Sequence, residues 1–261
     1  MKPARILTIA GSDCSGGAGL QADLKTITML GGYGMSAITA ITAQNTTGVF
    51  AAEALSPDMV AAQIDACVDD IGVDAVKIGM LGSAAIAHKV ADRLERIAAP
   101  VVFDPVMVAT NGGILADADT VAAFDRLMAL ATLTTPNLPE LAALGGEAMV
   151  RAKTDALLVK GGHADGDQLT DRLILGARET SWTSSKIDTR HTHGTGCTLA
   201  SAIATGLGQG LGLDEAIARA REFVRAALMA APQLGAGHGP LGHQAVMVTP
   251  LSQQASSRVS S

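Results

Sequence analysis

The strongest constraint on this chain is a recurring unit: a short aliphatic run that stops at a polar residue or a glycine, with stretches of helical length in between. The runs are Arg5 to Ile9, Ala75 to Ile78, Val101 to Phe103, Leu133 to Thr135 and Ala156 to Val159. Runs this short and this continuously apolar read as strands buried on both faces, the pattern of a parallel sheet. Helical stretches accompany them at Gly19 to Leu30, Pro57 to Ile71, Ser83 to Ile97 and Thr120 to Ala129. Repeated βα crossovers predict an α/β fold, a single-domain, doubly wound and mostly parallel sheet flanked by helices. Gln168 to Thr183 alternates irregularly around Gly176 and predicts a hairpin near the sheet edge.

With 261 residues, 48% of them hydrophobic, the chain has material for one sizeable core, and residues 1–251 are expected to form it. The closing Ser252 to Ser261, rich in Ser and Gln, reads as a disordered tail. Aromatic residues are only 2% of the chain, which argues against base-stacking platforms for nucleic acid. A net charge of -6 with no basic run likewise argues against nucleic acid and anionic membrane as partners. The apolar stretch before Gly11 is too brief for a signal or spanning segment. Cys14, Cys67 and Cys197 form neither a CxxC pair nor an even disulfide set, so a reducing cytoplasmic setting is expected.

Open sheets bind ligands beyond the carboxyl ends of their strands, so the residues after each run are where chemistry is expected. There stand Gly11-Ser12-Asp13, Lys77-Ile78-Gly79-Met80, Asp104-Pro105-Val106-Met107, Thr135-Pro136-Asn137 and Lys160-Gly161-Gly162-His163. The most pointed segment is His193-Gly194-Thr195-Gly196-Cys197-Thr198, which runs into the helix-forming Leu199 to Ala204. Glycines opening a helix expose N–H groups at the positive end of its dipole, an anion site in the making. The same turn should lower the Cys197 thiol from its usual value of roughly 8.5, so that it could serve as a base. Against these stand ordinary alternatives, a flexible helix start and a small buried cysteine.

Other candidates have bland alternatives too. Asn137 and Glu140, three residues apart at a helix start, suit either water-coordinated Mg²⁺ or a capping arrangement. Asp104 ends a very apolar strand, where a carboxylate costs free energy unless it is used or paired, and Lys160 carries the same logic with opposite sign. Asp23 and Lys25 follow the glycine-rich Gly16 to Gly19, where solvated helix charge is the plain reading. Gln44 offers a primary amide, which donates and accepts at once and so matches an aminopyrimidine edge. No GxxxxGK[ST] occurs, and the relaxed GxGxxA at Gly17 lacks the downstream acid of a dinucleotide fold. His191 and His193 lack the spacing of a His/Cys metal site.

Read together, the blocks Ala10 to Thr26, Thr42 to Val49, Lys77 to Ser83, Asp104 to Val108, Thr135 to Glu140, Val159 to His163 and His193 to Thr198 resemble the hydroxymethylpyrimidine and phosphomethylpyrimidine kinases of thiamine biosynthesis. Those enzymes are a branch of the ribokinase-like superfamily, and the resemblance is nearly full length. It implies ATP-dependent phosphorylation of 4-amino-5-hydroxymethyl-2-methylpyrimidine and then of its monophosphate, with Mg²⁺, in a cytoplasmic homodimer. It implies that Gln44 binds the pyrimidine edge while Gly11, Asp23, Met80 and Val106 line the pocket. Cys197 would face the reacting hydroxyl, with Gly194, Thr195 and Gly196 forming the anion hole. Asn137 and Lys160 would contact phosphate, and Glu140, with Asp104 as a weaker assignment, would serve the metal. Sugar kinases of the superfamily carry Asp where Cys197 stands, so the thiol points to hydroxymethylated heteroaromatic substrates, pyridoxine and pyridoxal included. A non-catalytic binding module and a Cys197–His193 hydrolase are the remaining readings. The hydrolase lacks any evident acid to orient the histidine. The segment between Glu140 and Lys160 is about a helix shorter than family members carry, leaving Gly145 to Lys153 in its place.

Overall fold

A computed structural model of the protein describes residues 2–108, 113, 115–163 and 166–246. The expected tail, Ser252 to Ser261, lies outside them. Strands β1 (Arg5–Asp13), β2 (Tyr33–Asn45), β3 (Gly48–Ala54), β4 (Ala75–Ile78), β5 (Val101–Phe103), β6 (Leu133–Thr134), β7 (Ala156–Val159), β8 (Gln168–Leu175) and β9 (Arg178–Ser185) form one sheet. Its order is β3-β2-β1-β4-β5-β6-β7-β8-β9. The six strands from β2 to β7 run parallel, β3 is antiparallel to β2, and β8 and β9 form the expected antiparallel hairpin at the far edge. One expectation needs correction: β1 does not stop at Ile9 but continues through a register shift between Ala10 and Ser12 to Asp13. The irregularity falls at Gly11, and Ser12 and Asp13 run on over the rim while still pairing with β2.

Because side chains alternate along a strand, each central strand feeds two cores. Leu7, Ile9, Val76, Ile78, Val101, Phe103, Leu157 and Val159 meet helices α2 (Pro57–Asp70), α3 (Ala84–Leu94) and α4 (Ala118–Leu130) on one face. On that face the short segment after Glu140 still supplies α5 (Leu138–Ala143) and α6 (Glu147–Arg151), whose Val150 is fully buried. Ile6, Ala75, Val102, Ala156 and Leu158 face the other way, onto α1 (Gly19–Met29), α7 (Thr195–Gly208) and α8 (Leu213–Met229). Thr8 and Lys77 share the parity of Ile6 and Ala75, so they too point into the α1/α7 layer.

Helix starts divide by purpose. Ser56, Ser83 and Asp117 accept hydrogen bonds from the first-turn N–H groups of α2, α3 and α4. By contrast α1 and α7, which open toward the carboxyl ends of the strands, have no side-chain cap. No helix among the described residues is long and apolar enough to cross a membrane.

Candidate active site

A cavity of about 760 Å³ opens along the carboxyl rim of the sheet, where the topology brings every strand-end segment together. Its wall includes Gly11, Gln44, Met80 and Val106 on one group of loops and Asp104, Asn137, Glu140, Lys160 and the turn Gly194 to Cys197 on another. Among the predicted site residues, Asp23 alone is not on that wall. It is fully buried on α1, where its carboxylate accepts from Thr8 Oγ1 (2.6 Å) and Ser201 Oγ (2.7 Å) and pairs with Lys77 Nζ (2.8 Å). With its oxygens occupied inside the protein, Asp23 does not line the substrate pocket as expected.

The turn at the start of α7 is built around Gly194, whose φ of 88° is left-handed backbone suited to glycine. A Cβ there would also strike the Gly17 carbonyl oxygen. Both the Thr195 hydroxyl (2.7 Å) and its N–H (3.2 Å) are spent on the Thr192 carbonyl, so this residue closes the turn. Uncapped first-turn N–H groups then face the cavity at the positive end of a buried helix.

Cys197 is half-buried at that wall. Contrary to the expectation from the helix dipole, burial pushes its thiol up to about 11. Lys77 pulls it down, Asp23 and Asp104 push it further up, and an N–H of Gly19 favours the thiolate. Desolvation of the charged sulfur outweighs the helix terminus, so Cys197 is a neutral thiol at pH 7.

Asp104 and Lys160, the two charged residues that end apolar strands, pair with each other: Lys160 Nζ donates to Asp104 Oδ1 at 2.6 Å, and Thr135 Oγ1 donates to the same oxygen at 3.0 Å. Glu140 Oε2 lies 3.7 Å from the same ammonium. Burial alone would lower the Lys160 ammonium, but Asp104 and then Glu140 overturn that and hold it above the usual lysine value. Burial raises the Glu140 carboxyl, opposed by Lys160. Of the two readings of Asn137 and Glu140, the capping arrangement is present: Asn137 Oδ1 accepts from the Glu140 N–H and Glu140 Oε2 from the Asn137 N–H, both at 2.8 Å. The Asn137 carbonyl oxygen is thereby committed to the helix. Glu140 Oε1 and Asp104 Oδ2 are left as hard oxygen donors, suited to an Mg²⁺ that keeps most of its waters. No cluster of three His, Cys, Asp or Glu forms an all-protein metal site among the described residues.

Sequence reasoning missed several groups. Asp13, buried at the end of β1, accepts from Ser15 and from the Gly17 and Ala18 N–H groups, and its Oδ2 lies 2.8 Å from His193 Nε2. Burial works against its charge, yet hydrogen bonds from His193, Ser15, Gln44 and Ala18 hold the carboxyl well below the usual range. The acid partner of His193 that no local spacing reveals thus comes from the first strand. The bond joins the two glycine-rich turns and turns the imidazole toward Asp13. Gln44 is held by its backbone as well, its carbonyl accepting from the Cys14 thiol at 3.2 Å. Asp171, Ser184, Arg221 and Arg225 line the remaining wall, with the Asp171 carboxylate accepting from the Gly161 N–H at 2.8 Å and pairing with Arg221. No motif marks these residues; the hairpin places Asp171 and Ser184 there, and α8 places Arg221 and Arg225.

A family described as phosphomethylpyrimidine kinase matches residues 13–242, which include all of these turns except the first residues of the Gly11 segment. The chain belongs to the phosphomethylpyrimidine kinase family. Within that kinase family it is 47% identical over 254 residues to the hydroxymethylpyrimidine/phosphomethylpyrimidine kinase of Rhizobium meliloti, covering 91% of this chain and 96% of that protein. Among solved structures, a Bacillus subtilis pyridoxal kinase in complex with ADP superposes with a TM-score of 0.87 at 34% identity, over 95% of this chain and all of that one. The phosphomethylpyrimidine kinase of Clostridium difficile superposes with a TM-score of 0.75 at 38% identity, over 85% of this chain and 97% of that one. The ribokinase-like fold expected for a phosphomethylpyrimidine kinase is therefore the fold observed.

Proposed function

We propose that the chain transfers the γ-phosphoryl group of Mg·ATP to the hydroxymethyl oxygen of 4-amino-5-hydroxymethyl-2-methylpyrimidine, and then to the resulting monophosphate, in thiamine biosynthesis. The observation that carries this reading is that a single cavity is lined by the Gln44 amide, by Cys197 with the uncapped α7 turn, and by Lys160. In each step the acceptor oxygen forms a bond to the γ-phosphorus, the β–γ bridging bond breaks and ADP leaves; the first step also passes the hydroxyl proton to the thiolate of Cys197 or to solvent, whereas the monophosphate of the second attacks through an ionised oxygen. Because such transfer passes through a loose transition state, the demand falls on positioning and charge stabilisation. That fits Cys197, which as a thiol orients the hydroxyl and accepts its proton only when ionised to the thiolate, late in the transfer. The N–H groups of Gly194 and Gly196 at the start of α7 stabilise charge growing on the transferred group, with Thr195 holding the turn through Thr192, and Lys160 remains charged to meet it. Glu140, with Asp104, holds the waters of Mg²⁺, which supplies neutralisation of the β- and γ-phosphate oxygens when bound. Gln44 pairs its amide with the ring nitrogen and amino group of the pyrimidine, and Gly11, Met80 and Val106 enclose the ring.

The likeness to the pyridoxal kinase from Bacillus subtilis favours pyridoxine or pyridoxal as a second substrate class on the same site. Steady-state assays of both pyrimidines and of pyridoxine, with wild type and Cys197→Ala, separate the readings. The pyrimidines are expected to have the higher kcat/KM, and Cys197→Ala to lower kcat by roughly 10²-fold or more. Good turnover of pyridoxine beside none of either pyrimidine would overturn the substrate assignment. We propose further that residues 1–251 act as one cytoplasmic unit and that the chain works as a homodimer. Exposed Ile41 and Phe50 on the β2–β3 edge support the dimer, which sedimentation equilibrium tests.

A further inference from the structure

Beneath the cavity lies a buried polar group in which the reaction just proposed gives no role to Lys77. This lysine is fully buried, among the largest side chains to be so, yet it lines the cavity together with Cys197. Its ammonium contacts both oxygens of Asp23, at 2.8 and 2.9 Å, and the same carboxylate takes hydrogen bonds from Thr8 and Ser201. Ser201 stands four residues after Cys197 on α7, which places both on one side of that helix. The carboxylate thus touches the helix one turn below the sulfur, and the ammonium sits between the carboxylate and the cavity. The ammonium is also closely seated: a Cβ on Gly79 would fall 2.7 Å from Lys77 Nζ. A buried ion pair is costly to retain for stability alone, because well-packed apolar side chains do as well. Its position against the one ionisable sulfur of the cavity gives it another use.

We infer that the buried Asp23–Lys77 pair governs Cys197 through the cavity floor, the Lys77 ammonium favouring a negative sulfur and the Asp23 carboxylate opposing it, so that both are positioning residues for phosphoryl transfer. The inference rests on the use of Cys197 beside the acceptor hydroxyl. The charged groups around the sulfur are Lys77 from β4, Asp23 from α1, Asp104 after β5 and Lys160 after β7, with the Gly19 N–H at the start of α1. Among them Lys77 is the foremost that favours the thiolate and Asp23 the foremost that opposes it. The interaction is mutual. Burial alone would lower the Lys77 ammonium, but Asp23, then Cys197 and Asp104, raise it above the usual lysine value. Lys77 therefore keeps its charge, and whatever weakens the hold of Asp23 on it lets the sulfur ionise more readily.

The test reads the thiol directly and without substrate, so its outcome is independent of which alcohol the enzyme phosphorylates. The rate of iodoacetamide alkylation at Cys197 is followed by mass spectrometry of its peptide against pH in intact protein. Asp23→Asn, which leaves the ammonium unopposed, should raise the rate at pH 8 by about tenfold or more. Lys77→Met should lower it by about tenfold, and the double variant should return to within about threefold of wild type. Two single variants that keep the native circular dichroism and shift the rate in the same direction, or not at all, refute the inference. Should a single variant fail to fold, Gly79→Ala keeps both charges but displaces the ammonium. It should slow alkylation by about threefold or more, and an unchanged rate there refutes the inference equally.

Discussion

Gln44 is held in place twice, by its backbone bonds to the Cys14 sulfur and by its amide on Asp13. The amide donates to that carboxylate, so its carbonyl oxygen and second N–H remain to read an aminopyrimidine edge. Gln44→Ala should therefore cost the pyrimidine about 2 kcal/mol, roughly thirtyfold in kcat/KM. Pyridoxine, which presents no such edge, should lose less than about fivefold, and parallel assays of the two substrates decide it. Equal losses would remove the pairing role. At this scale the sequence discloses which residues are chemical but not how their atoms are spent. A carboxylate at the start of a helix, such as Glu140, reads as ligand or cap with equal ease, and only coordinates show its Oε2 on the Asn137 N–H. Asp23 has the same difficulty, because its partners come from β1, β4 and α7 at once. The Cys197 thiol was misread for one physical reason: helix position is visible in sequence, whereas desolvation is not.

The start of α7 is fixed from below by Thr198, whose hydroxyl shares a 2.8 Å hydrogen bond with His243 Nε2. His243 is 1% exposed, and burial, reinforced by Lys25, pushes its imidazole down to about 4. An unfolded chain takes up this proton near the usual value of about 6.5, whereas the folded chain resists it until about pH 4. Stability should therefore fall as pH drops from about 6.5 toward 4, by on the order of 3 kcal/mol from this residue alone. Denaturant titrations at pH 7 and pH 4.5 should show that His243→Gln flattens this part of the pH dependence; an unchanged slope would sink the assignment. The elements themselves were legible to very different degrees. Continuous aliphatic runs such as Val101 to Phe103 and Ala156 to Val159 announce buried strands, and the stretches from Pro57 and from Ser83 announce helices, whereas α4 begins two residues before the expected Thr120. Strand β3, Gly-Val-Phe-Ala-Ala-Glu-Ala, lies outside the core with nearly every residue exposed, so no burial pattern marks it. Helix α8 did carry a signal, in the spacing of Ala216, Ile217, Ala220, Phe223, Val224 and Ala227, but it lacks a side-chain cap to mark where it begins.

Across the whole molecule, the site is assembled from loops that span nearly the entire chain, from Gly11 to Arg225. Sheet order explains how: β1 sits third from one edge, the chain builds outward to β3 on one side and β9 on the other, and α7 then returns beneath β1, β4 and β5. Such a return was implied only by resemblance to a known fold, since no local pattern states which helix lies under which strand. The Asp13–His193 bond is the tie that closes this circuit, joining residues 180 positions apart. That separation has a consequence for how the protein is made. While the ribosome is still extending the hairpin, the sheet face of Ile6, Ala75 and Val102 has only α1 to cover it, and the first glycine turn has nothing to lock against. A fragment ending at residue 190 should bind a hydrophobic dye strongly and fail to retain ATP. Adding residues 191–261 as a separate chain should reverse both only if α7 and α8 can still dock. Birth of the catalytic cavity is thus deferred until α7 and α8 have been made, and the face that will hold the thiol is the one left open longest.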